Sequence, residues 1–243
     1  GPGLGGIQPS QSDYWQATKA LGHGDFQILV FAPSTVQEMV DLVSDAFDKA
    51  DEYRMPAMIL ADGMLGQMME PVELPEHKDR KLPEKPWAAC GHENKREHNI
   101  INSLYLTPNA LEDLVRARYE RYKIVEEKEQ RAEEYRTEDA DVIVVAYGAS
   151  SRVARSAVNK AREAGKKVGL IRPITLWPFP KDAIKRAADH TKELLVVEMS
   201  MGQMVDDVRL AAECRVPVHF YGRTGGVIPT PKEILGEIDK LLK

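Results

Sequence analysis

Cysteine is nearly absent: the 243 residues contain two, Cys90 and Cys214, and they form no C-x-x-C pair. That excludes a disulfide scaffold, and it leaves no local thiol set for a zinc ribbon, a redox dithiol or an iron–sulfur cluster. Any metal cluster is therefore expected on a partner. A basic excess is also missing, since 33 Lys and Arg face 38 Asp and Glu for a net charge of −5. Neutralising the phosphates of a nucleic acid needs the opposite balance, so nucleic acid is excluded as an expected partner. There is no apolar run of about 18 to 20 residues for a membrane helix, and the amino end lacks the basic-then-apolar layout of a signal peptide. A cytoplasmic protein is expected. No G-x-G-x-x-G, phosphate-binding G-x-x-x-x-G-K-[ST], H-E-x-x-H or nucleophile elbow occurs, and no complete catalytic set is legible. What is present is 43% hydrophobic and 29% charged residues, enough for one large or two ordinary cores.

Residues 27 to 62 read as strand, helix, strand. Ile28-Leu29-Val30-Phe31 and Pro56-Ala57-Met58-Ile59-Leu60 are apolar runs of the kind buried on both faces of a parallel sheet. Between them, Ser34 and Thr35 are N-cap candidates with Gln37 and Glu38 three residues on, and Val36, Met39, Val40, Val43 and Phe47 recur at helical spacing. From Glu70 to Asn99 four prolines and a charged run, His77 to Lys81, predict an extended connection without a core. Pro108 then opens a charged segment predicted helical to about Arg136, with Leu111, Leu114, Val115, Tyr122 and Val125 as a narrow apolar stripe. After Thr137 strands and helices alternate regularly to the end of the chain, which predicts a doubly wound parallel sheet.

In such sheets ligands meet the carboxyl ends of strands, so the residues just after each strand are the first candidates. Gly148 followed by Ser150 and Ser151 would place backbone N–H groups where an anion could be held, although a turn glycine and an N-cap serine explain the same letters. Asp62 at a strand end is expected to cap the following turn. Tyr147, Gly148, Arg172 and Glu198 line strand ends and are expected to form an interface. The opening Gly1-Pro2-Gly3-Leu4-Gly5-Gly6 lets backbone approach a ligand closely. It also starts without methionine, which predicts a processed chain or a piece of a longer one. Gly22-His23-Gly24-Asp25 puts an imidazole and a carboxylate between glycines ahead of the first strand, a place for a proton-handling pair or a plain surface turn. Cys90-Gly91-His92 with His98 matches no zinc spacing, so metal binding is not expected there. Met64, Met68 and Met69 read as a packing surface.

Four stretches in fixed order carry a resemblance: Gly1-Pro2-Gly3-Leu4-Gly5-Gly6-Ile7-Gln8-Pro9-Ser10-Gln11-Ser12-Asp13, Gly22 to Asp25, Leu60-Ala61-Asp62-Gly63, and Gly169 to Pro180. Together they resemble the alpha subunit of the 2-oxoacid:ferredoxin oxidoreductases across essentially the whole chain. The Gly-Leu-Gly-Gly-Ile-Gln-Pro form of the opening looks like the branched-chain, 2-ketoisovalerate type rather than the 2-oxoglutarate branch.

The resemblance implies a thiamine-diphosphate enzyme that oxidatively decarboxylates a 2-oxoacid to an acyl-CoA, with coenzyme A as substrate and ferredoxin as electron acceptor. It implies beta, gamma and ferredoxin-like delta subunits, with the diphosphate, its magnesium and the iron–sulfur clusters held by partners. Residues 1–75 would be the C-terminal half of the pyrimidine-binding domain, 76–138 an extended linker and long helix, and 139–243 a transketolase C-terminal-like domain. Family members carry more residues ahead of the opening loop, including the glutamate that drives cofactor tautomerisation, so the isolated chain is expected to be inactive. Gly3, Leu4, Gly5, Gly6 and Ile7 would lie near the cofactor, with His23 and Asp25 beside the substrate and no metal held by this chain. A non-catalytic assembly module, and a transketolase-like or 2-oxoacid dehydrogenase beta-type subunit, are the alternatives.

Overall fold

Two sheets organise the residues that a computed structural model describes, 6–19, 24–76 and 83–243. After a short helix α1 (Tyr14–Thr18), the strand β1 (Leu29–Phe31), helix α2 (Val36–Tyr53) and strand β2 (Ala57–Ile59) form a β-α-β unit with β1 and β2 parallel. A single turn, α3 (Gly63–Gly66), follows β2, and α4 (Pro108–Lys128) closes the connection. The rest is β3 (Ala132–Tyr135), β4 (Val142–Val145), α5 (Gly148–Glu163), β5 (Val168–Pro173), β6 (Thr175–Trp177), α6 (Lys181–Ala188), β7 (Glu193–Glu198), α7 (Met204–Ala212), β8 (Val218–Gly222) and α8 (Pro231–Leu241). The larger sheet has the order β3-β5-β4-β7-β8 and the smaller β2-β1-β6.

The larger sheet is doubly wound as the alternation predicts. β5, β4, β7 and β8 run parallel, and β4 is buried throughout because it sits between two strands and two helical layers. Two strands were not legible. The charged segment after Lys128 leaves the helix: Glu129 turns inward, its carboxylate accepting from the Tyr53 hydroxyl at 2.7 Å and pairing with Lys49 and Arg131. Residues 132–135 then pair antiparallel with β5. Glu133 and Glu134 suit a helix by propensity, but Arg172, Arg155 and Arg186 reach them across the sheet edge and hold them in a strand. The other is β6, which pairs antiparallel with β1, so the smaller sheet takes its third strand from residues 175–177.

The Thr35 hydroxyl caps α2 by accepting from the Glu38 N–H at 3.0 Å. The face that α2 buries is Leu42, Ala46 and Tyr53, whereas Val43 and Phe47 of the predicted stripe are exposed, Phe47 at 73%. Among the described residues β2 pairs only with β1 and is an edge strand. The main core cluster is continuous from Leu29 and Phe31 through Tyr122, Val125 and Trp177 to Ile184, Val196 and Val208, so both sheets share it. A second cluster lies on the opposite face of the larger sheet, under α5 and α8.

Candidate functional site

The segment 6–12 lies against the carboxyl ends of strands from both sheets, and two glutamines place it there. Gln11 is buried, and every polar atom of its side chain is used. Its Nε2 donates to the Tyr147 carbonyl at 2.9 Å, and its Oε1 accepts from the Ser150 hydroxyl at 2.8 Å and the Met199 N–H at 2.9 Å. Its backbone N–H donates to the Met199 carbonyl at 2.8 Å, and the Tyr147 hydroxyl donates to its carbonyl at 3.3 Å. One side chain thus joins the residues following β4 and β7. Gln8 lies between two glycines: a Cβ on Gly63 would come within 3.1 Å of the Gln8 carbonyl oxygen, and one on Gly226 within 2.6 Å of the Gln8 Cβ. Both positions need glycine to let the segment through. Beyond Gln11, the Gln203 amide donates to the Ser12 carbonyl and accepts from the Trp15 N–H, while the buried Tyr14 hydroxyl donates to Asp207 at 2.6 Å.

Asp62 caps α3 as expected, its Oδ1 accepting from the Met64 and Leu65 N–H groups at 2.9 and 3.2 Å. Its Oδ2 accepts from the Ala149 N–H at 3.2 Å, at the amino end of α5. The place predicted for an anion is therefore occupied by a carboxylate of the chain itself. Gly148, at φ +54°, fits there because a Cβ would crowd both Asp62 Oδ2 and Gln11 Nε2 at 3.3 Å. Sequence reading identified Asp62 as a cap and Gly148 as a turn, but only the fold reveals that they meet.

Burial pushes the Tyr147 hydroxyl well above the usual phenol range, with Glu198, Asp62 and Asp13 adding to the effect, so it stays protonated and donates. Glu198, fully buried at the end of β7, is raised by burial even though the N–H groups of Met204, Val205 and Gln203 and the Ser200 hydroxyl favour its charged form. These contacts cap the amino end of α7 and are structural.

A polar crevice of about 600 Å³ lies between α2 and α5. Its floor is Arg172, bidentate to Glu38 at 2.9 and 3.0 Å and bonded to Glu133 at 2.8 Å, and Arg152 pairs with Glu70 at 2.8 Å. Each arginine is thus already matched by a carboxylate, which makes the crevice a tie between the two sheets.

Gly6 and Ile7 are exposed, with the Ile7 carbonyl accepting from the Gln67 amide at 2.8 Å. Gly3, Leu4, Gly5 and His23 lie outside the described residues. Asp25 is exposed at φ 46° ahead of β1 and, among the described residues, shares no hydrogen bond with the opening segment. His92 and His98 stack edge to face at 4.1 Å near Cys90, and no metal-holding cluster of His, Cys, Asp or Glu occurs among the described residues. Met69 is 97% exposed, whereas Met68 sulfur accepts from Arg152 at 3.6 Å. Among the described residues no helix is long and apolar enough to cross a membrane.

Comparison with known proteins agrees with this arrangement. Residues 2–143 match the family described as pyruvate flavodoxin/ferredoxin oxidoreductase, thiamine-diphosphate-binding, and residues 140–234 match core domain II of pyruvate:ferredoxin oxidoreductase. The chain is 47% identical to ketoisovalerate oxidoreductase subunit VorB of Methanothermobacter marburgensis, over 99% of this chain and 68% of that protein. It is 34% identical to 2-oxoglutarate synthase subunit KorA of the same organism, over 94% of this chain and 68% of that one. A 2-oxoglutarate:ferredoxin oxidoreductase structure from Magnetococcus marinus superposes with a TM-score of 0.82 at 24% identity, covering all of this chain and 47% of its own, which supports the fold. The chain belongs to the pyruvate flavodoxin/ferredoxin oxidoreductase family, an enzyme family whose members are subunits of 2-oxoacid oxidoreductases.

Proposed function

We propose that the chain is the alpha-type subunit of a cytoplasmic complex that oxidatively decarboxylates 2-ketoisovalerate to an acyl-CoA and passes the electrons to ferredoxin. The observation that carries this reading is the lie of Gly6–Ser12 across the carboxyl ends of both sheets, where open α/β folds bind ligands. The branched-chain substrate is favoured by 47% identity to a ketoisovalerate subunit against 34% to a 2-oxoglutarate subunit. Ile7, apolar and 77% exposed at this edge, suits an aliphatic 2-oxoacid. An apolar pocket separates such substrates by about 1 to 3 kcal/mol per methylene.

Thiamine diphosphate, when bound, would supply the nucleophilic carbon that adds to the 2-oxo group and the electron sink that takes up the bonding pair as carbon dioxide leaves. The described residues do not by themselves build its site. The space over Gly63, Gly148 and Gly226 is taken by Gln8, Asp62 and Gln11 of the chain itself. Of the two carboxylates lining this edge, Asp62 already accepts from three N–H groups, and Asp13 is exposed and caps nothing. Neither is set to protonate an aminopyrimidine in a dry site, which needs a buried acid. No step is therefore assigned to the cofactor through these residues. On this reading the beta subunit holds the diphosphate and magnesium, and partner subunits hold the iron–sulfur clusters. On the same reading residues 1–75 are the C-terminal half of the pyrimidine-binding domain, with Gly3, Leu4, Gly5, Gly6 and Ile7 on the cofactor side and His23 and Asp25 on the substrate side.

The test is coenzyme-A-dependent reduction of ferredoxin by the assembled complex, with 2-ketoisovalerate, 2-oxoglutarate and pyruvate compared by kcat/KM. The highest value for 2-ketoisovalerate is expected. Preference for 2-oxoglutarate or pyruvate would overturn the substrate, and a complex inert to all three would leave an assembly module.

A further inference from the structure

We infer that Gln11 is a positioning residue, which holds the segment Gly6–Ser10 in its bound place before a 2-oxoacid arrives. The inference rests on the function proposed above, in that the segment borders the substrate site. The geometry is specific to a glutamine. One atom must donate to a carbonyl, Tyr147, while the other accepts from two donors, the Ser150 hydroxyl and the Met199 N–H, and all three partners are buried. A glutamate would point a second acceptor at the Tyr147 carbonyl oxygen, and a hydrophobic residue would leave the Ser150 hydroxyl and the Met199 N–H without this acceptor and the Tyr147 carbonyl with the Ser151 N–H at 3.3 Å in its place. Gln8, three residues nearer the amino end, is held among the described residues by shape alone, between Gly63 and Gly226. Shape can be lost by a small shift of the chain, whereas the hydrogen bonds of Gln11 fix the point from which that shift would start.

If the segment is held only part of the time, substrate binding must restore it, and the apparent affinity falls by the fraction of molecules in which it is in place. Saturating substrate restores it completely. Loosening therefore raises KM and leaves kcat close to its original value.

The experiment compares Gln11→Glu and Gln11→Met with the unaltered chain in the assembled complex, by hydrogen exchange and by steady-state kinetics on 2-ketoisovalerate. Exchange of the Gln11 amide is expected to speed up about tenfold or more, the equivalent of one lost buried hydrogen bond, while the β4 and β7 amides keep their protection. KM is expected to rise about tenfold with kcat within about threefold, and more in Gln11→Glu than in Gln11→Met. Unchanged exchange at Gln11 would overturn the inference whatever the kinetics, as would a fall in kcat at constant KM. A loss of protection throughout β4 and β7 would show a merely structural residue. If the unaltered complex turns over no 2-oxoacid, the proposed function fails, and the exchange result still decides whether Gln11 anchors the segment.

Discussion

Replacing Asp62 separates two roles that one carboxylate combines. In Asp62→Ala the N–H groups of Met64 and Leu65 lose their cap, and the Ala149 N–H, in a residue with no solvent exposure, loses its acceptor. Loss of an N-cap costs about 0.5 to 2 kcal/mol, and leaving a buried N–H unpaired costs about 1 to 3 kcal/mol. Together they give about 3 kcal/mol, which for a chain of this size lowers Tm by roughly 6 to 12 °C. Asp62→Asn is the informative variant, because asparagine caps a helix as well as aspartate does. Its carbonyl oxygen keeps the bonds to Met64 and Leu65 while its amide N–H₂ faces the Ala149 donor, so only the link to α5 is lost, at about 1 to 2 kcal/mol. Calorimetry of the two variants beside the unaltered chain is the assay. If Asp62→Ala lies within about 0.5 kcal/mol of the original, or if Asn costs as much as Ala, the bridge between β2 and α5 does not exist as described.

The crevice arginines give a second prediction. Burial alone would raise the Glu133 carboxyl, but Arg172 and Arg155 outweigh it and hold the group below its ordinary 4.5. Stability from a depressed carboxyl is present above that value and is lost as pH falls through the folded one. Arg172→Met should therefore cost about 2 to 4 kcal/mol at pH 7, discounted for the partial exposure of Glu133, and should flatten the acid limb of a denaturation series below pH 4.5. An acid limb as steep as the original would count against it. Glu198 has the opposite sign: burial raises it above 4.5, so its contribution is complete below that pH and is lost as pH rises through the folded value. Glu198→Gln cannot ionise, and urea midpoints measured from pH 4.5 to 8 should shift progressively in its favour relative to the original chain. A difference that stays constant with pH would refute the assignment. Finally, Gly226→Ala places a methyl group 2.6 Å from the Gln8 Cβ and forces an L-residue to φ +94°. It should free the amides of residues 6–8 to exchange while leaving the larger sheet intact, and unchanged exchange at Gln8 would show that the two do not touch.

The larger sheet was legible because its strands are apolar over their whole length and its helices carry one buried stripe, as in Val142–Val145 and the Ala154, Ala157, Val158 and Ala161 face of α5. The strand at 132–135 was not, because Glu133 and Glu134 owe their conformation to arginines distant in sequence. Phe47 was misread for a related reason: periodicity finds an apolar face but not the element that covers it, and α2 turns Leu42 and Ala46 inward instead.

The site was legible in pieces. Asp62 and Gly148 were each visible as local devices, a cap and a turn, because each has a local physical signature. Gln11 had none. A glutamine in a polar stretch reads as surface, and its value comes from Tyr147, Ser150 and Met199, which lie 136 to 188 residues away in sequence. The same distance explains why the amino end of α5 looked like a place for an external anion. Helix N–H groups attract a negative charge from any source, and the sequence shows the donors but not the Asp62 carboxylate that the fold brings to them from 87 residues away. With that position filled from within, the amino end of α5 is closed to an external anion.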